Sequence, residues 1–96
     1  MKFVFHPEAE AEFFGAVEYY EAAEAGLGYD FSLEVLRTIQ NIVDYPLAWP
    51  VLVDDVRRCL TNRFPFGVIY DINGDQVHVL SVMHLRREPD YWKNRH

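Results

Sequence analysis

Residues 56–92, VRRCLTNRFPFGVIYDINGDQVHVLSVMHLRREPDYW, decide the fold. Runs rich in Val, Ile, Phe and Tyr follow one another too closely for helices to fit between them, which predicts a three-stranded antiparallel meander. Asn73-Gly74 predicts the tightest link, a type I′ turn pairing residues 66–72 with 76–84. Such a turn demands positive φ at both central positions, which Asn tolerates and Gly adopts without steric cost. Arginines sit at the strand margins: Arg57 and Arg58 in the first strand, Arg63 at its end, Arg86 and Arg87 beyond the last. Any function that depends on cations belongs here.

Outward from the meander, residues 45–55 hold Pro46, Trp49 and Pro50 and read as a connection pinned to the core by its tryptophan. Before it, Phe31, Val35, Thr38, Ile39 and Ile42 recur at helical spacing up to about Asp44, where Pro46 forbids continuation. Gly26-Leu27-Gly28 separates this helix from an earlier one over residues 7–25, because glycine readily adopts the left-handed conformation of a helix C-terminus. Pro7 suits the first helical position, Glu8 and Glu10 favour the positive end of the helix dipole, and His6 falls near the N-cap with a structural role. Ala9, Phe13, Ala16, Val17 and Tyr20 form the packing face; Glu8, Glu12, Glu18 and Glu21 read as a solvated face. Residues 2–5 are short, apolar and stopped by His6-Pro7, as a strand of the same sheet would be.

The predicted architecture is α+β, in the order β-α-α-β-β-β, with an N-terminal helical hairpin packed on one face of a mainly antiparallel sheet. The other face is open or lined by the C-terminal end. Ninety-six residues predict one domain, 1–96, with a single core. Half the residues are hydrophobic and 16% aromatic, which excludes general disorder. The one cysteine, Cys59, has no internal partner and reads as a buried thiol. No signal-peptide pattern and no apolar run of about 20 residues is present, so the expected location is the cytoplasm, away from membranes. The histidines His6, His78, His84 and His96 lack metal-ligand spacing, and there is no glycine-rich phosphate loop; neither metal nor cofactor is expected.

The net charge of −6 is unevenly divided. Residues 1–55 carry eleven acids against Lys2 and Arg37, whereas residues 56–96 carry seven bases against four acids. An acidic chain is a poor nucleic-acid binder overall, since that binding rests on neutralising phosphates. The basic C-terminal third keeps a local binding surface open.

Three pieces are specific enough to place the chain: Arg57-Arg58 near the start of the second strand, Phe64-Pro65-Phe66 leading into the third, and His84-x-Arg86-Arg87-x-Pro89-x-x-Trp92 at the end. With the first-helix sequence HPEAEAEF and the element order, they resemble the RelE/ParE superfamily of toxins from bacterial type II toxin–antitoxin systems, which includes ParE-like plasmid stabilisation proteins. The resemblance covers nearly the whole chain. It implies a growth inhibitor held silent by a cognate antitoxin that covers a basic groove. Exposed strand edges suit the antitoxin, in a toxin–antitoxin hetero-oligomer, and a homodimer equally well. ParE-like members of the superfamily bind DNA gyrase; RelE-like members cleave messenger RNA in the ribosomal A site. A third reading is a non-toxic protein-binding module of the same fold.

Metal-free RNA cleavage would require fixed cations around the phosphorane and groups that move protons to and from ribose and leaving oxygens. Arg58, Arg63, Arg86 and Arg87 fit the phosphate, because the planar guanidinium fork matches two phosphate oxygens. His84 and Tyr91 are the proton-transfer candidates, giving His84, Arg86 and Tyr91 as the catalytic set of a RelE-like enzyme. Arg57, Arg58, Arg63, Arg86 and Arg87 are the phosphate- or partner-binding set of either reading. Adjacent strand residues face opposite sides, so Arg57 and Arg58 cannot both face one groove. The scarcity of lysine, Lys2 and Lys93 alone, weighs against the largely phosphate surface of the ribosome and favours the ParE-like reading.

Overall fold

The computed structural model describes residues 1–95; His96 lies outside the described residues. The chain runs β1 (Lys2–Phe5), α1 (Pro7–Ala23), α2 (Leu27–Asp44), β2 (Val51–Val53), β3 (Val56–Leu60), β4 (Phe66–Asn73) and β5 (Gln76–His84), and ends in a 3-10 turn at Lys93–Arg95. The five strands form one mixed sheet in the order β1-β5-β4-β3-β2. β1 joins at the edge, parallel to β5, and the remaining pairs are antiparallel. This is the α+β arrangement expected from the sequence, with one strand added.

The added strand is β2, inside the stretch expected to be a simple connection. Val51-Leu52-Val53 is too short to announce itself by periodicity, yet Asp54 adopts a φ of 51° and turns the chain back so that β2 pairs with β3. Trp49 packs against the core as expected. The β4–β5 link also differs in detail. Asn73 pairs with Gln76, so the loop is Gly74-Asp75; of the loop residues Gly74 alone has positive φ, 64°, the pattern of a II′-type turn with Gly first. Only Gly74 has to take positive φ, which glycine does without steric cost, and Asn73 stays in the β4 ladder.

Between the helices, Gly26 takes φ 86° and serves as N-cap of α2, and α2 begins before the second glycine. Gly28 sits in its first turn because the helices nearly touch there. A Cβ at Gly28 would lie 2.5 Å from the Val17 carbonyl oxygen and 2.8 Å from Glu21 Cβ. Glu21 fixes the junction by accepting from the backbone N–H groups of Gly26 and Gly28 at 2.9 and 3.1 Å. His6 caps α1, its Nδ1 accepting from the Glu8 N–H at 3.1 Å.

Two apolar layers flank the sheet. Beneath the helices lie Phe13, Phe31, Val35, Ile39, Ile42, Cys59, Phe64, Phe66, Val68, Tyr70, Val77, Val79 and Val82. On the opposite face, Val56, Ile69, Leu80 and Met83 are covered by Trp92, itself 2% exposed. The C-terminal end therefore lines the second face. A register shift opposite Ile69/Tyr70 leaves Leu80 as an extra residue in β5. This bulge re-phases the side-chain alternation, so that Val79 and Val82 share the helix face while Leu80 and Met83 share the other. No helix among the described residues is long and apolar enough to cross a membrane.

Candidate partner-binding surface

The arginines of the meander are held by different elements. Arg57 turns to the helix side, where its Nη1 donates to the carbonyls of Trp49 and Leu47 at 2.6 and 3.2 Å. Together with the Tyr70 hydroxyl, which donates to the Pro46 carbonyl at 2.7 Å, it fastens the 46–49 loop. Arg63 pairs with Asp30 of α2 at 3.3 Å, while Glu34 accepts from the backbone N–H groups of Arg63 and Phe64 at 2.8 and 3.0 Å. Arg58 lies on the second face beside Trp92 and Met83, and its stem crosses over Gly67. The alternation expected for Arg57 and Arg58 is what separates them.

The C-terminal group meets α1. Arg87 lies 3.6 Å from Glu12, and its guanidinium carbon sits 3.7 Å from the Tyr91 ring centroid. The Tyr91 hydroxyl is 2.6 Å from Ser81 Oγ, and burial first of all pushes its pKa up to about 12. Glu12 Oε1 accepts from Ser81 Oγ at 3.0 Å, from the Val82 N–H at 3.1 Å and from Arg95 Nη1 at 2.9 Å. Arg95 Nη1 also donates to the Leu80 carbonyl at 3.0 Å, and its Nε pairs with Glu8 at 3.1 Å. β1 pairs with β5 no further than Val79, and Glu12 with Arg95 satisfies the exposed backbone groups beyond. His84 keeps its ring against Phe66 at 5.2 Å, with Nδ1 accepting from the Arg86 N–H at 3.0 Å. The Arg86 side chain is exposed.

The expected residues are thus held by different partners. Arg57 is fastened to the 46–49 loop, Arg63 to Asp30 of α2 and Arg87 to Glu12 of α1, while Arg58 lies on the second sheet face, against which Tyr91 also packs. A tyrosine hydroxyl engaged by serine and shifted to about 12 is poorly placed to move protons near neutrality. Among the described residues, no group of three His, Cys, Asp or Glu side chains comes together to hold a metal.

A family model for the ParE toxin of type II toxin–antitoxin systems, parDE, matches residues 3–89. The chain belongs to the ParE toxin family. No curated protein matches the sequence. Eight chains of solved structures match. One of these, described as a chromosomal ParDE TA system from P. aeruginosa, aligns with 90% of this chain and 97% of its own at a TM-score of 0.64 and 17% sequence identity. That likeness is one of fold.

Within this ParE-family chain, two functional features escaped the sequence reading. Glu12 was expected on a solvated helix face, yet its side chain is 13% exposed because the last turn of the chain folds over it. Arg95, 9% exposed, carries no motif, and its carboxylate partners Glu8 and Glu12 lie more than eighty positions away. One sequence signal was available: Glu8 and Glu12 are one helical turn apart, a spacing that lets a single guanidinium bridge both.

Proposed function

We propose that this chain, acting as one domain over residues 1–96 in the bacterial cytoplasm, is the toxin of a type II toxin–antitoxin pair. It inhibits growth by binding its target, DNA gyrase, and its cognate antitoxin neutralises it by covering part of the C-terminal third. The observation that carries the binding reading over RNA cleavage is the internal use of three of the groups an RNase would need, Tyr91, Arg87 and Arg63. Tyr91 is bound to Ser81 and shifted to about 12, Arg87 stacks on Tyr91 beside Glu12, and Arg63 faces Asp30. The family match to ParE toxins supports the same side.

Expression of the chain alone in bacteria is expected to arrest growth, and co-expression of the neighbouring reading frame to relieve the arrest. The purified protein is expected to inhibit gyrase supercoiling and to leave messenger RNA intact on programmed ribosomes. Cuts in the A-site codon that vanish in His84→Ala and Arg86→Ala would replace this reading with the RelE-like nuclease. Normal growth with folded protein present would leave a non-toxic binding module.

A further inference from the structure

His6 and His84 share one construction. The Nδ1 atom of each accepts the backbone N–H two residues further on, that of Glu8 at 3.1 Å for His6 and that of Arg86 at 3.0 Å for His84. Only an unprotonated ring nitrogen can accept, so each bond exists with the neutral ring and is lost when Nδ1 takes a proton. The two turns hold opposite ends of one segment. Residues 85–95 leave β5 through the His84 turn, which the Arg87 N–H also closes by donating to the His84 carbonyl at 3.0 Å. They return to α1 through Arg95, whose Nε lies 3.1 Å from Glu8, the residue whose N–H His6 caps. Between these ends Trp92 covers Val56, Ile69, Leu80 and Met83.

The surroundings do not replace what protonation removes. Beside His84 stand the cations of its own turn, Arg86 and Arg87; β4 presents the Phe66 ring at 5.2 Å, and Glu12 of α1 is engaged by Arg95 and Arg87. A proton there adds a third positive charge to the turn. Beside His6, β5 presents the His78 ring at 6.1 Å, and Asp71 of β4 lies 3.6 Å from His78 Nδ1. The first turn of α1 presents Glu8, tied to Arg95, and Glu10, and Lys2 stands on β1. A charged His6 gains from the two glutamates, yet it gives up the cap, meets the positive end of the helix dipole and faces a second histidine that takes a proton in the same pH range.

We propose that His6 and His84 form an acid-sensitive clasp on residues 85–95. Above the histidine range both bonds stand and the segment lies closed on the second sheet face; as pH falls through that range both turns slacken and the segment lifts more often. The population shifts only by what the two bonds contribute, roughly two- to tenfold for each. Arg86 and Arg87 ride on this segment, so pH sets how these two cations are presented to a partner, whatever that partner is.

The test is hydrogen exchange of the purified chain read by mass spectrometry at about pH 7.5 and about pH 5.5, as protection factors corrected for the intrinsic rate at each pH. The Leu85, Arg87, Lys93 and Arg95 N–H groups are bonded in the closed segment and report its opening. In the parent their protection is expected to fall by about tenfold at the lower pH, while the amides of β4 and β5 hold theirs. The double variant His6→Asn with His84→Asn is the decisive comparison, because an asparagine oxygen accepts the same N–H without titrating. It is expected to keep the parent's neutral-pH protection at both pH values, and His78→Gln, outside both turns, is expected to keep the parent's response. Thermal melts at neutral pH establish folding; should the double variant not fold, His84→Asn alone is expected to remove about half of the response on a logarithmic scale. A change below about twofold in the parent, or an equal fall in the asparagine variant, would overturn the clasp. A parallel fall in the β4 and β5 amides would overturn it too, because the whole fold would then be loosening.

Discussion

Removing the Glu12 carboxylate is expected to loosen the C-terminal end from α1 and to cost far more than removing any surface acid. In Glu12→Ala, Arg95, 9% exposed, loses its 2.9 Å partner, and the Val82 N–H and Ser81 hydroxyl lose theirs at 3.1 and 3.0 Å. Breaking a buried ion pair from one side costs about 3–5 kcal/mol, and an unsatisfied buried N–H adds about 1–3 kcal/mol. Arg95 retains Glu8 and the Leu80 carbonyl, and the truncated side chain admits water, so the lower end applies: about 3 kcal/mol. For a domain of this size that lowers Tm by roughly 12–24 °C, at about 4–8 °C per kcal/mol. Urea unfolding followed by tryptophan fluorescence measures the loss, and buried Trp92 sits on the segment being released. Asp30→Asn is the internal control, because the Arg63–Asp30 pair is 60% and 49% exposed and such pairs contribute at most about 1 kcal/mol. A double-mutant cycle with Arg95→Ala should return a coupling of at least about 1 kcal/mol. A loss below about 1 kcal/mol for Glu12→Ala, or equal to that of Asp30→Asn, would refute the assignment of Glu12 as a buried hub.

Gly28→Ala should destabilise the helical hairpin by roughly 2 kcal/mol, since the new methyl meets the Val17 carbonyl at 2.5 Å and the helices must part; an unchanged denaturation midpoint would remove the close-contact argument. Alkaline pH should unfold the protein through its buried acids. Burial raises Tyr70 and Tyr91 from 10.0 to about 12 and Cys59 from 9.0 to about 11, so the folded state keeps protons the unfolded state releases. Their contribution is complete below pH 9.0, where both states are protonated, and is lost progressively as pH rises to about 12. Urea midpoints from pH 7 to 11.5, all above pH 9 read against this sign, check it; constant stability up to the top of that range would contradict the burial of these groups. Cys59, 4% exposed, should react with a thiol reagent at the rate of global opening, and instant labelling at pH 8 would show that the helix layer does not cover it.

Much of the fold was legible because its signals are local. Pro7 and the acids after it mark the start of α1, the three- and four-residue spacing from Phe31 to Ile42 marks α2, and Gly74 marks the β4–β5 reversal. The family match was legible for the same reason: its motif residues lie within short stretches of the C-terminal third. β2 was missed because three residues carry too little pattern, and its pairing depends on an aspartate adopting φ 51°. Leu80 was missed as a bulge because alternation in β5 gives no hint where the phase slips.

The sequence by itself determined the α+β order, the helical hairpin over one sheet face, and the concentration of cations in the last third. Tertiary structure decided what those cations do. Glu12 meets Ser81 and Arg95 across 69 and 83 positions of sequence, and no local rule ties together residues so far apart. Arg57 and Arg58 are neighbours in the chain, yet the pleat sends one to a loop's carbonyl groups and leaves the other facing an open trough. Residue type sets which bonds a side chain can make; the fold sets which partners arrive, and among the described residues it brings none to the Arg58 side chain.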